Sequence, residues 1–251
     1  MITRRRLLTG IGLGAGGLIL SGCGPLHRSE TFQSGLRRFE ALNMHAQRTL
    51  GLGMSHAREF APEHISPTFR GNGTMMPDTP DYQRLLAGRF ADWRLTVDGM
   101  VARPLSLTFA QVTQLPQRTQ ITRHDCVEGW SAIGKWTGGV LGPLLDAAGL
   151  KDEARYIVFH CMDRFGADPY YESIDLVDAF HPQTILAYAL NDQPLPVKNG
   201  APLRLRVERQ LGYKHAKYLH RIEARATLEG LHRGRGGYWE DVAGYEWYAG
   251  I

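Results

Sequence analysis

The chain carries three cysteines, Cys23, Cys126 and Cys161, and the second lies in the run Arg123-His124-Asp125-Cys126-Val127-Glu128-Gly129-Trp130-Ser131. Three kinds of chemistry are open to it. In an oxidising compartment Cys126 and Cys161 are expected to pair as a disulfide. A cysteine beside a histidine and an aspartate has the composition of a nucleophile, yet neighbours on a strand face opposite ways, so a linear His-Asp-Cys run does not build a triad. The third use is metal binding. One thiolate is a poor structural zinc site, because zinc takes four ligands and His124 and His160 lack ligand spacing. One thiolate does suffice where it completes the coordination of a metal already held by a sulfur-rich organic cofactor.

The elements that must position these residues follow from periodicity. Trp93, Leu95 and Val97 alternate with polar residues and predict a strand ending at Gly99. Thr108 and Gln111 have capping-box spacing and predict a short helix ending before Pro116. A helix is expected over Gly139 to Ala148, closed by Gly149, and a strand over Arg155 to Cys161. A hairpin over Leu186 to Leu195 turns at Asn191-Asp192. Leu203, Leu205 and Val207 alternate with Arg204, Arg206 and Glu208, and another strand is expected over Lys217 to Ala226. Short strands with single short helices and no β-α-β rhythm indicate an α+β fold with antiparallel or mixed sheet. Residues 25–90 are weakly patterned, with Pro62, Pro67, Pro77 and Pro80 as breakers, and read as an extended arm and loops before a domain at 91–251.

The first 24 residues read as an address. Arg4, Arg5 and Arg6 precede an apolar run too short for a comfortable bilayer span, the layout of a twin-arginine export signal. Leu20-Ser21-Gly22-Cys23 resembles a lipobox, in which Cys23 would carry a membrane anchor. The expected location is therefore the periplasm. Gly12-Leu13-Gly14-Ala15-Gly16-Gly17 matches a dinucleotide-binding pattern, but no strand precedes it and it lies inside the signal. The formal charge of +4 falls to +1 without Arg4, Arg5 and Arg6, too little for a nucleic-acid footprint.

The Cys126 segment resembles the molybdenum-binding segment of the sulfite-oxidase superfamily, and within it the bacterial methionine-sulfoxide reductase branch. The likeness continues at Trp136-Thr137-Gly138, at His181-Pro182-Gln183-Thr184, at Asn199-Gly200-Ala201-Pro202-Leu203-Arg204 and at Gly212-Tyr213-Lys214-His215-Ala216-Lys217. The resemblance implies a sulfite-oxidase-like fold and a molybdenum-molybdopterin cofactor, with Cys126 as the metal thiolate. It implies that Asn199, Arg204, His215, Ala216 and Lys217 hold the pterin and its phosphate, with Arg70 and Asn72 in an upstream loop. Cys161 falls where the reductase branch has a threonine near the cofactor. Tyr171, rather than its neighbour Tyr170, is taken as the tyrosine facing the metal.

Alone, Arg204 and Arg206 would read as a solvated strand edge, and Lys214 and Lys217 as a charged face. A buried phosphate nevertheless needs fixed cationic donors, and Arg204 and Lys217 supply them. The implied reaction is two-electron oxygen-atom transfer, most simply reduction of a sulfoxide on a small molecule or a protein, with oxidation of a small sulfur oxyanion as the alternative. Neither a haem-attachment motif nor an iron–sulfur cysteine set is present, so electrons would pass to or from a separate partner, such as a membrane haem or quinone-linked protein. Two further alternatives are a non-catalytic binding lipoprotein on the same fold and a cysteine-nucleophile hydrolase.

Overall fold

A computed structural model describes residues 29–50 and 55–251. The export signal, the lipobox and Cys23 lie outside them. The chain divides into two units, residues 1–50 and 51–251. In the first, α1 (Glu30–Leu50) is helical for 21 residues where an extended arm was expected. Ser29 caps its start by accepting the Phe32 N–H, and the four prolines counted as breakers all lie beyond its end. In the second unit Pro62 and Pro80 open helices instead of ending them, in the 3-10 turn Pro62–His64 and in α2 (Pro80–Ala87). A proline in the first turn loses only an N–H that has no helical acceptor there.

The predicted strand is β1 (Arg94–Gly99), with Trp93, Leu95 and Val97 buried. After β2 (Leu105–Thr108), the Thr108–Gln111 capping box forms and opens α3 (Phe109–Thr113). A long hairpin follows, β3 (Gln117–Cys126) and β4 (Trp130–Val140). The next helix, α4 (Leu141–Ala148), starts two residues later than expected because Gly139 and Val140 still pair with Leu186 and Ile185. Gly149 closes it at φ 69°. The remaining elements are β5 (Tyr156–Phe165), β6 (Asp168–Asp175), α5 (Leu176–Ala179), β7 (Ile185–Leu190), β8 (Gln193–Pro194), β9 (Arg204–Arg206), β10 (Leu219–Arg225) and α6 (Tyr238–Ala243). The predicted turn at Asn191-Asp192 joins β7 to β8, with φ of 52° and 60°, the paired positive values of a tight hairpin.

The strands form two sheets, as the α+β expectation required. One has the order β2-β1-β10-β5-β6, with a single parallel pair, β1 and β10. The other runs β3-β4-β7-β8 with β9 on β7, all antiparallel. Leu95, Phe159 and Ile222 from the first sheet, Leu186 and Leu205 from the second, and Leu144 of α4 belong to one apolar cluster. The sheets therefore share a core, and the ends of β3 and β5 bring their polar residues to a common cavity.

Candidate functional site

A cavity of about 180 Å³ is lined by Cys126 and Glu128 from the β3–β4 turn, Asp163 and Phe165 from β5, Tyr170 from β6, and His215 and Lys217 ahead of β10. Asn72 and Thr74 close one side, and Trp239 of α6 with Tyr245 another. Trp239 and Tyr245 stack with ring centroids 5.9 Å apart, and Phe165 stacks on Tyr238 at 4.9 Å.

Cys126 ends β3 and is 9% exposed. The turn beyond it needs Gly129, whose φ is 86° and whose N–H donates to the Cys126 carbonyl. Burial pushes the Cys126 thiol up, against the backbone N–H of Glu128, which favours the thiolate. A bound metal cation reverses that balance, since it deprotonates a coordinating thiol outright. Cys126 and Cys161 are both free thiols, so the disulfide expected from compartment alone does not form. The linear run is no triad either. His124 is engaged by Arg206, and Asp125 accepts from Arg123 and Ser131.

Behind the thiol lies a set of buried polar groups with open valences. Arg204 is fully buried and donates to the carbonyls of Asn199 (3.0 Å) and His215 (3.2 Å), while its Nε has no partner among the described residues. No carboxylate among the described residues forms an ion pair with it, and burial presses its pKa down to about 9. Arg206, two residues on, is buried too but forks onto Glu208 at 2.9 and 2.5 Å. The solvated-edge reading therefore fails for both arginines, and only Arg204 lacks a counter-charge.

The two histidines have opposite tautomers. The Arg206 guanidinium donates to His124 Nδ1 at 2.9 Å, so the His124 proton sits on Nε2, which has no acceptor. His215 Nε2 donates to the Gln210 carbonyl at 3.0 Å, leaving Nδ1 as an open acceptor. Burial and the neighbouring arginines hold both rings well below the usual histidine range, hence neutral. Asn199 donates to the Arg70 carbonyl and keeps Oδ1 unpartnered. A Cβ on Gly212 would lie 2.5 Å from His124 Nε2, so this position admits only glycine without displacement. Open donors at Arg204 and His124, and open acceptors at Asn199 and His215, suit a polar heterocyclic cofactor carrying an anion.

Lys217 Nζ donates to the carbonyls of Asn72 (2.6 Å), Thr74 (2.5 Å) and Lys198 (3.2 Å), which fixes the 72–74 loop against the site. Burial and the Arg204 charge press its pKa down to about 7. Lys214 is not on a charged face. It is fully buried between Glu172, at 2.6 Å, and Glu240, and so ties the Gly212–Lys214 turn to β6 and α6.

Of the residues singled out in the sequence, Asn72, Cys126, His215 and Lys217 line the cavity, and Asn199 and Arg204 are joined to them by the bonds above. Arg70 contributes its carbonyl while its side chain is exposed, and Ala216 acts through its backbone, its carbonyl accepting from Leu205. Two placements differ. Tyr171 is not in the cavity wall, because alternation along β6 turns it toward Asp241, to which its hydroxyl donates at 2.5 Å, and toward His232. Tyr170 lines the cavity in its place. Cys161 lies in the apolar cluster behind the wall, and Asp163, on the same face two residues on, reaches the cavity instead. The sequence reading missed Asp163, Thr74, Trp239 and Tyr245. Only Asp163 carried a local signal, its period-2 relation to Cys161.

The two-sheet fold and this constellation define a site for a molybdenum–pterin cofactor. The chain belongs to the family described as the oxidoreductase molybdopterin binding domain, whose profile matches residues 83–230. That family is one of molybdopterin-binding oxidoreductase domains. The chain is 42% identical over 160 residues to a protein of Azospira oryzae provisionally named protein-methionine-sulfoxide reductase subunit YedZ1, covering 64% of this chain. The match takes in 56% of that relative, so the chain spans little more than half its length. The sulfane dehydrogenase SoxCD of Paracoccus pantotrophus superposes with a TM-score of 0.51 at 23% identity, over 55% of this chain and 39% of that one, a likeness of fold.

Proposed function

We propose that this protein removes an oxygen atom from a sulfoxide-type substrate, with the sulfur leaving as a thioether. The observation that carries the reading is the charge of the cavity wall. Its one lysine, Lys217, spends its three N–H donors on carbonyls, His215 is neutral, and Glu128 and Asp163 add carboxyls. A small sulfur dianion finds no open cation there, whereas an uncharged sulfoxide meets aromatic walls and polar acceptors. The name of the Azospira relative accords with this.

The cofactor supplies the two-electron chemistry, with Cys126 as its thiolate ligand. The chain's own groups bind and orient it: Arg204 and the His124 Nε2–H as donors, Asn199 Oδ1 and His215 Nδ1 as acceptors. Trp239 and Tyr245 supply an aromatic wall. Electrons come from a separate redox protein, a reading in keeping with the relative's designation as a subunit. Export by the twin-arginine route, with a lipid anchor on Cys23, places the reaction in the periplasm. The support for it is the arginine run and lipobox of the first 24 residues.

The test is molybdenum per chain, by elemental mass spectrometry, in protein from a molybdenum-replete host. About one atom is expected in the parent, with methionine sulfoxide reduced at the expense of reduced benzyl viologen. Cys126→Ser is expected to lose the activity and to alter or lose the metal signal. Loaded parent protein that oxidises sulfite but leaves sulfoxides untouched would reverse the direction assigned here.

A further inference from the structure

Reduction of a sulfoxide breaks one S–O bond, takes two electrons from the donor and two protons, and releases the oxygen as water. One of these protons must reach the departing oxygen at the cavity wall. Resting on the sulfoxide reading, we infer that Asp163 is the acid that protonates the departing oxygen.

Most of the other proton-bearing groups of the wall are committed elsewhere. His215 presents a lone pair, since its proton is on the nitrogen bonded to Gln210. Lys217 is held by three carbonyls. The Tyr170 hydroxyl donates to the Tyr213 carbonyl at 2.7 Å, and the Tyr213 hydroxyl to the Glu246 carbonyl. Of the two carboxyls, Glu128 is exposed and has both oxygens engaged, accepting from Trp130 Nε1 at 3.1 Å and from the Gly73 N–H at 3.3 Å. Asp163 is 4% exposed, lines the cavity, and leaves Oδ1 fully buried without a hydrogen-bond partner among the described residues. Such an oxygen is stable when it carries a proton that substrate can take.

The groups facing Asp163 are Lys217, Tyr218, Tyr82, Cys161 and Tyr170, with Thr74 as a hydrogen-bond donor. Burial raises its pKa to about 6, and the Thr74 bond and Lys217 oppose that rise without cancelling it. One proton passes from Asp163 to the departing oxygen, and the second comes from solvent. Asp163 then regains its own proton from solvent before the next turnover.

The experiment compares the molybdenum-loaded parent with Asp163→Asn and Asp163→Glu, using methionine sulfoxide and reduced benzyl viologen. In the parent, kcat is expected to fall as pH rises through about 6. Asp163→Asn is expected to lose at least ~100-fold in kcat with KM within about threefold, and its pH profile to flatten. Asp163→Glu is expected to recover part of the rate and the pH dependence. A readout independent of turnover is the Tm of the loaded proteins between pH 4 and 8. A folded-state pKa above the unfolded value of 3.8 costs stability as pH rises from about 4 to 6. The Tm of Asp163→Asn relative to the parent should therefore climb over that interval and level off above it.

If Asp163→Asn keeps its kcat within twofold and its pH profile, or if the Tm difference is flat with pH, the inference is overturned while sulfoxide reduction stands. A parent kcat independent of pH from 5 to 8 overturns it even where no variant folds. A loaded parent that reduces no sulfoxide removes both this role and the sulfoxide reading.

Discussion

Arg204 and Arg206 share a strand, a charge and complete burial, and differ in one respect that matters for function. Arg206 is neutralised within the chain by Glu208, while Arg204 has only two carbonyl acceptors. A buried guanidinium without an anion is costly in the empty protein and becomes useful when an anionic cofactor arrives. Arg204→Met is therefore expected to change the stability of emptied protein by no more than roughly 2 kcal/mol. Relief of desolvation offsets the loss of the two hydrogen bonds. Retention of cofactor should fall by more than about tenfold, because a charge-assisted bond is lost. Thermal unfolding of emptied protein and molybdenum per chain after dialysis check the two halves separately.

The turn over Gly212–Lys214 is the element on which the site depends most. It passes close to His124, presents Tyr213 and His215 to the cavity, and sends Lys214 the other way into the buried pair Glu172 and Glu240. That lysine joins the turn to β6 and to α6, whose Trp239 walls the cavity. Glu172 and Glu240 raise the Lys214 pKa against burial, and the Glu172 carboxyl is itself raised well above its usual range, by burial first and by Glu240 next. Lys214→Met would leave two buried carboxyls without their cation, at a cost of roughly 3–5 kcal/mol, on the order of 10 °C in Tm. The sign of the pH dependence follows. The raised carboxyl is protonated at acid pH, where it needs no cation, so the loss should be smallest there and grow as pH rises. Thermal melts of parent and variant at several pH values measure it.

Across the whole molecule, the cavity draws Cys126 from one sheet and Asp163 from the other, so it exists only when the two pack together. A ligand held by both sheets stabilises the folded state by mass action, about 2.7 kcal/mol at a hundredfold excess over its Kd. Loaded protein should therefore melt roughly 5–10 °C above emptied protein. Equal melting temperatures for the two would mean that the cofactor is not held across the sheets.

Much of this was legible in one dimension. The alternation of Trp93, Leu95 and Val97, the Thr108–Gln111 box, the Asn191-Asp192 turn and the closing Gly149 are local signals, and each fixes an element through contacts within a few residues. The Cys126 segment and the motifs around Asn199, Arg204 and Lys217 likewise marked the family and its cofactor. What the sequence could not decide was anything set by residues far apart. Whether Tyr170 or Tyr171 faces the cavity, and which of Cys161 and Asp163 reaches it, depend on how two sheets pack. So does the fate of Lys214, whose partners lie 42 and 26 residues away. Burial turns these ordinary charged side chains into groups with open valences, and burial is a property that only the tertiary structure confers.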